Sequence, residues 1–190
     1  YISGASSAAY LDQVTLTATP NYGYHFTQWS DGNAENPRSI VITQDTSFTA
    51  EFAINQYHLS TSISNPEAGI VNGTGIYSHG AYAELSAIPN YGYHFLCWSD
   101  GNTDNQRRVL VTEDKIYTAY FAKNTYSIAG NYNTEQGYIS GASSAAYLDL
   151  VTLIATPNYG YHFTQWSDGN TENPRSIVIT QDTTFTAEFA

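Results

Sequence analysis

The stretch Asn21-Tyr-Gly-Tyr-His-Phe-Thr-Gln-Trp-Ser-Asp-Gly-Asn33 returns, with few changes, at Asn90–Asn102 and again at Asn158–Asn170. A chain that copies its most aromatic segment at a fixed interval is an array, which restricts the available folds more tightly than any other feature here. The period is about 68 residues, long for a solenoid repeat and close to the smallest size at which a domain buries its own core. The expected architecture is therefore all-β: three small antiparallel β domains of about six short strands each, strung as beads on a string. Repeat one covers 1–53, repeat two 54–122 and repeat three 123–190. They end alike, in Ala50-Glu-Phe-Ala53, Ala119-Tyr-Phe-Ala122 and Ala187-Glu-Phe-Ala190.

Repeats one and three are almost one sequence, differing at Gln13/Leu150, Thr17/Ile154, Ala34/Thr171 and Ser47/Thr184. Repeat two has diverged further. Recent duplication accounts for this; the competing reading is that unlike neighbours resist exchanging strands, since swapping trades identical elements. The segment Asn124–Gly137 has no counterpart before Tyr1, and the chain contains no Met. The expectation is a fragment of a longer polypeptide.

Repeat three shows the local logic. Asn124–Ala129 alternates, with Tyr126 and Ile128 on one face, and reads as a strand. Gly130–Gly137 is a polar turn and Tyr138–Ser143 a second short strand. Ala145–Asp149 admits one helical turn or a bend, and a bend is expected. Leu150–Thr156 places Val151, Leu153 and Ala155 on one face and Thr152, Ile154 and Thr156 on the other. Pro157-Asn-Tyr-Gly160 is a turn in which Gly permits a positive φ. Tyr161–Trp166 follows as a strand in which Phe163 and Trp166 stand three apart. Either a β-bulge brings both rings to one face, or Trp166 points outward as a ligand platform. Asp168-Gly-Asn170 is a hairpin turn signal. Arg175–Thr180 and Thr183–Ala190 complete the repeat, the latter with Phe185, Ala187 and Phe189 inward. The predicted core is a sheet curled around Phe163, Trp166, Leu153, Ile177, Phe185 and Phe189. Across the array its aromatic members are Phe26, Trp29, Phe52, Phe95, Trp98, Phe121, Phe163, Trp166 and Phe189.

Composition narrows function. The formal charge is −11 with six Lys and Arg, so no basic patch is available to neutralise phosphates, and nucleic acid is not expected as a partner. No apolar run approaches the roughly 18 residues that span a bilayer, so no membrane insertion is expected within this segment. Cys97 aligns with Gln28 and Gln165 and reads as a packing residue rather than half of a disulfide or metal site. Seventeen Tyr among many Ser and Thr suit sheets with one buried and one wet face.

Ala155-Thr-Pro157, Gly160-Tyr-His-Phe163, Trp166-Ser-Asp-Gly169, Asn173-Pro-Arg175 and Thr186-Ala-Glu-Phe189 together resemble the divergent internalin B-repeat family. The resemblance covers nearly the whole chain, three times over. Repeat two departs at Asn105-Gln-Arg107, which lacks the Pro. The resemblance implies tandem β domains of a bacterial cell-surface or secreted protein, extracellular, acting as spacers or adhesion elements and carrying no catalytic residues. Flanking domains of the same polypeptide are then the first partners, with a glycan or a host surface protein as the other candidates.

Each candidate for chemistry was weighed against a structural role. Asp168, Asn170 and Glu172 alternate as the first ligands of a calcium loop do, as do Asp31, Asn33, Glu35 and Asp100, Asn102, Asp104. Position six is Asn36, Asn105 or Asn173 instead of Gly, and position twelve is Ile42, Val111 or Ile179 instead of Glu, so a polar hairpin loop is the better reading. His25, His94 and His162 recur singly, without metal-ligand spacing. No cofactor is expected. Lys115 and Lys123 do not recur at one site, which argues against an intramolecular Lys–Asn cross-link. The remaining candidates are Tyr22, Tyr24, Tyr91, Tyr93, Tyr159 and Tyr161, which flank the turn before the Trp strand. Their flat rings could stack on sugars or seat a protein, or else staple the turn down or touch the next domain.

Overall fold

Alternating apolar and polar residues are realised as nineteen strands and no helix in the computed structural model, which describes all of Tyr1–Ala190. No helix is long and apolar enough to cross a membrane. Repeat one holds β1 (Ile2–Ser3), β2 (Gln13–Ala18), β3 (Tyr24–Trp29), β4 (Arg38–Val41) and β5 (Ala50–Ile54). Repeat two holds β6 (Gln56–Ile63), β7 (Gly69–Asn72), β8 (Gly75–Ser78), β9 (Tyr82–Pro89), β10 (Tyr93–Trp98), β11 (Gln106–Leu110) and β12 (Lys115–Lys123). Repeat three holds β13 (Thr125–Asn131), β14 (Gly137–Ser140), β15 (Ser144–Ala146), β16 (Leu150–Pro157), β17 (Phe163–Trp166), β18 (Arg175–Val178) and β19 (Thr183–Phe189).

The chain divides into two compact units. The first comprises Tyr1–Ser62, Asn72–Ser86 and Gln106–Tyr117; the second comprises Ile63–Val71, Ala87–Asn105 and Thr118–Ala190. Repeat two contributes to both. In the first unit, β2 pairs with β4 through Gln13↔Val41 to Leu16↔Arg38, and β9 pairs with β11 through Gln106↔Ser86 to Leu110↔Tyr82.

Repeat three lies wholly in the second unit and is a two-sheet sandwich. One sheet runs β15-β13-β19-β17 and the other β14-β16-β18. Ile128, Ile139, Leu153, Ala155, Trp166, Ile179, Ala187 and Phe189 fill the space between them. Leu153 and Ala155 are buried while Thr152 and Ile154 face water, as the period of two requires.

Three expectations are corrected. The sheets are not wholly antiparallel: β13 pairs with β19 in parallel, Ile128↔Thr183 to Asn131↔Thr186. The first and last strands of the repeat lie side by side, and the long excursion through the second sheet supplies the crossover that a parallel pair needs. The Ala145–Asp149 bend is preceded by a short strand, β15, held on the outer side of β13 by Thr125↔Ala146 to Ser127↔Ser144. A complete repeat therefore has seven strands rather than six. In repeat three Tyr161 and His162 fall before the strand, which begins at Phe163.

The bulge before each Trp is present. Register shifts between Phe26 and Gln28, Phe95 and Cys97, and Phe163 and Gln165. The extra residue turns both rings to one face, with Phe–Trp centroids 5.4, 5.6 and 5.3 Å apart. Trp29, Trp98 and Trp166 are completely buried, so none is an outward platform. Each indole N–H donates to a loop carbonyl, of Glu35, Asp104 and Glu172, at 2.8, 2.9 and 2.8 Å, which satisfies the one polar atom that burial would otherwise strand. Among the other predicted core rings, Phe189 is buried, and Phe26, Phe52, Phe95, Phe121 and Phe163 are half-buried.

Candidate functional site

The tyrosine turns lead to the join between repeats. Only one residue separates β5 from β6, Asn55, and only one separates β12 from β13, Asn124. Within the first unit, Asn55 N–H donates to the Gly23 carbonyl, and its own carbonyl accepts from His79 N–H, both at 2.8 Å. Its side-chain oxygen meets His25 Nδ1 at 2.8 Å. Within the second unit, Asn124 repeats the pattern. Its N–H donates to Gly92 O at 2.8 Å, its carbonyl accepts from Tyr147 N–H at 2.9 Å, and its Oδ1 lies 2.8 Å from His94 Nδ1. The backbone and side chain of the linking residue are thus engaged on both sides.

A ring completes each join. Gly23 has φ +83° and Gly92 φ +82°, and a Cβ on either would lie 2.0 Å from the His79 ring or 2.3 Å from the Tyr147 ring. Glycine here supplies both the left-handed backbone and the flat floor on which the ring rests. His79 is met edge-on by Tyr22 at 4.6 Å and by Tyr57 at 5.9 Å. Tyr147 is met by Tyr91 and Tyr93, both at 5.7 Å, and by Tyr126 at 6.5 Å. The Tyr91 hydroxyl donates to the Thr180 carbonyl at 2.9 Å. Desolvation, with the neighbouring Tyr126 and Tyr147 phenols, raises the Tyr91 hydroxyl above its ordinary value.

The six candidate tyrosines therefore separate. Tyr22, Tyr91 and Tyr93 touch the ring of the following repeat. Tyr24 and Tyr161 are exposed, Tyr24 standing opposite Ile54 in the sheet. Tyr159 is fully exposed, and Gly160, with φ +86°, has nothing near its Cβ position. The sequence reading missed the other half of the join, His79, Tyr147, Asn55 and Asn124. Tyr10, His79 and Tyr147 do recur at the array's period, and that periodicity was the available signal.

The Asp-Gly-Asn loops are self-contained. Asp168 Oδ1 accepts from Asn170 N–H at 3.2 Å, and Asn170 Oδ1 accepts from Glu172 N–H at 2.7 Å. The Arg175 guanidinium grips both Asp168 oxygens at 2.8 and 2.6 Å and stacks over Phe185 at 4.6 Å. Arg38 does the same with Asp31 and Phe48, at 2.8 and 4.6 Å. The Arg hydrogen bond, above all, holds both carboxyls below the usual range. Oxygens that spacing could have offered to calcium are thus spent on the loop's own N–H groups and on Arg. No group of three His, Cys, Asp or Glu gathers in a geometry that could hold a metal. Cys97 is a half-buried free thiol at the β10 bulge.

Downstream of each loop, Asn36 and Asn173 bracket the backbone of Ala18 and Ala155. Their side chains accept from the N–H at 2.8 and 2.9 Å and donate to the carbonyl at 2.7 and 2.6 Å. In repeat two, which lacks the following Pro, the Asn105 backbone carbonyl takes the Ala87 N–H instead.

No curated relative matches the chain. The family model described as Divergent InlB B-repeat domain matches it three times, over residues 1–56, 59–125 and 129–190. With a buried Trp, a bulge and an Asp-Gly-Asn loop in every copy, the chain belongs to the divergent InlB B-repeat family.

Proposed function

We propose that this chain is a non-catalytic spacer, a stalk segment in the tandem-repeat region of a bacterial surface protein, with repeats bounded near residues 53 and 122. The observation that carries the reading is the join itself. The most recurrent exposed-type aromatics, Tyr22, Tyr91 and Tyr93, are turned onto the next repeat, and the link is one fully hydrogen-bonded residue. Such a join holds successive repeats at a set separation, which is what a spacer needs and a flexible linker lacks. The partners on this reading are flanking domains of the same polypeptide, at an extracellular location.

The second reading is an adhesin-type module that binds a glycan or host protein. It is favoured by Tyr159 and Tyr161, which remain exposed beside the open Gly160. Solution scattering together with a glycan and matrix-protein panel separates the two. A stiff scattering profile with no binding supports the spacer. Micromolar binding abolished by Tyr159→Ala and Tyr161→Ala supports the adhesin and overturns the first reading.

A further inference from the structure

Repeats one and three form an internal control. Their sequences differ at four positions, yet part of the fold differs. In repeat three, β15 and the first half of β19 flank β13. In repeat one, the corresponding Ser7–Ala9 and Asp45–Thr49 form no strand. Beside them lies a cleft of about 390 Å³ lined by Ile2, Val14, Leu16, Ile40, Ile42 and Phe48. Leu16 and Ile42 are only half-buried, whereas their counterparts Leu153 and Ile179 are fully covered. The residues that close the gap in repeat three are Ile128, which is buried, and its neighbours on β13. In repeat two, β6 supplies the counterpart, with Leu59 buried.

The backbone partners are equally consistent. In repeat three, Asp182 Oδ1 accepts from Ser127 N–H at 2.7 Å and from its hydroxyl at 3.0 Å. In repeat two, Asp114 Oδ1 accepts from His58 N–H at 2.7 Å. The aligned carboxylate in repeat one is Asp45, at the mouth of the cleft.

We propose that repeat one carries a strand-accepting site: an extended segment of the Asn-x-Tyr-x-Ile or Asn-x-Tyr-x-Leu type inserts between Ser7–Ala9 and Thr46–Thr49, antiparallel to the former and parallel to the latter. Its aliphatic residue fills the cleft, and the backbone N–H one residue before it bonds to Asp45. This is recognition by strand addition, in which main-chain hydrogen bonds give affinity and alternate side chains give specificity. The occupant is a leading strand of this repeat type that is unpaired in its own chain. The interface is the one already made by β13 and β6, and a copy whose β13 is already paired gains nothing by exchanging it.

The test adds a free peptide with the sequence of Asn124–Asn131 to the intact chain and measures binding by calorimetry and by amide exchange. The expected result is saturable binding that protects residues 45–49 from exchange. An Ile128→Asp peptide binds about 100-fold more weakly, because the buried aliphatic contact is lost. Asp45→Ala in the chain weakens the parent peptide about tenfold, since a charge-assisted bond is removed at an exposed position. Equal binding of the parent and Ile128→Asp peptides, or binding without protection of 45–49, overturns the proposal. So does concentration-dependent dimerisation that protects 45–49 and that the peptide cannot reverse, which would name a second copy as the occupant.

Discussion

Gly92→Ala and Gly160→Ala make the same covalent change at the same backbone angle in two different surroundings. Both glycines sit near φ +84°, at +82° and +86°. An alanine there costs about 1 kcal/mol for the left-handed backbone alone. At Gly160 nothing lies within 4 Å of the new methyl, so the cost stops there. At Gly92 the methyl arrives 2.3–2.4 Å from the body of the Tyr147 ring, which cannot yield without leaving Tyr91 and Tyr93. Lifting the ring forfeits roughly 1.5–3 kcal/mol of burial and edge-to-face contact. Gly92→Ala therefore destabilises by about 2–4 kcal/mol in urea unfolding, against about 1 kcal/mol for Gly160→Ala. A double-mutant cycle sharpens the comparison: in a Tyr147→Ala background, Gly92→Ala falls back to the cost seen at Gly160. If the two glycine variants lose equal stability, or if the cycle shows no coupling, the ring-on-glycine join is not what holds consecutive repeats.

Other outcomes follow from the same geometry. Trp166→Ala costs about 3–5 kcal/mol, because it opens a cavity and strands the Glu172 carbonyl; thermal unfolding with near-ultraviolet circular dichroism reads it. The carboxyls of Asp31 and Asp168 are held low in the folded chain by Arg38 and Arg175. Their contribution is therefore fully present above the ordinary Asp value of about 3.9 and is lost as pH falls through the lowered folded values. The urea midpoint of an Asp31→Asn, Asp168→Asn double variant should accordingly fall less than that of the parent on acidification below about pH 4. Tyr10→Ala, at an exposed counterpart of Tyr147, changes stability by no more than about 0.5 kcal/mol, whereas Tyr147→Ala is clearly destabilising in the same assay.

What the sequence disclosed was what period and pattern can carry. Alternation placed Leu153, Ala155 and Phe189 inward, and the three-residue spacing of Phe163 and Trp166 foretold the bulge. Parallel pairing of β13 with β19 left no local trace, because it joins residues more than fifty apart and depends on which strands meet in the sheet. The role of Arg38 and Arg175 was also hidden. An Arg after an Asn-Pro turn reads as a solvated charge until the folded loop brings Asp31 or Asp168 under it and Phe48 or Phe185 beneath its plane. The tyrosines were found, but their partners were not, since a ring touching the next repeat has no signature in its own repeat.

The shortness of the link explains why the join takes the form it does. With β5 ending at Ile54 and β6 beginning at Gln56, the backbone of Asn55 has no slack in which to turn, and the same holds for Asn124 between Lys123 and Thr125. A strand that leaves one repeat must enter the next almost at once, so the turn carrying Gly23 or Gly92 is forced close to the incoming chain. Any side chain at that glycine would collide with the ring opposite, while an absent ring would leave the turn's carbonyl and the His25 or His94 imidazole to water. Ring identity is freer than ring presence: His79 and Tyr147 occupy the same place, because a flat edge of either kind satisfies the floor and the tyrosines around it. The glycine, the asparagine and some ring are therefore one constraint, imposed by a one-residue link, and changing the length of that link should relax all three together.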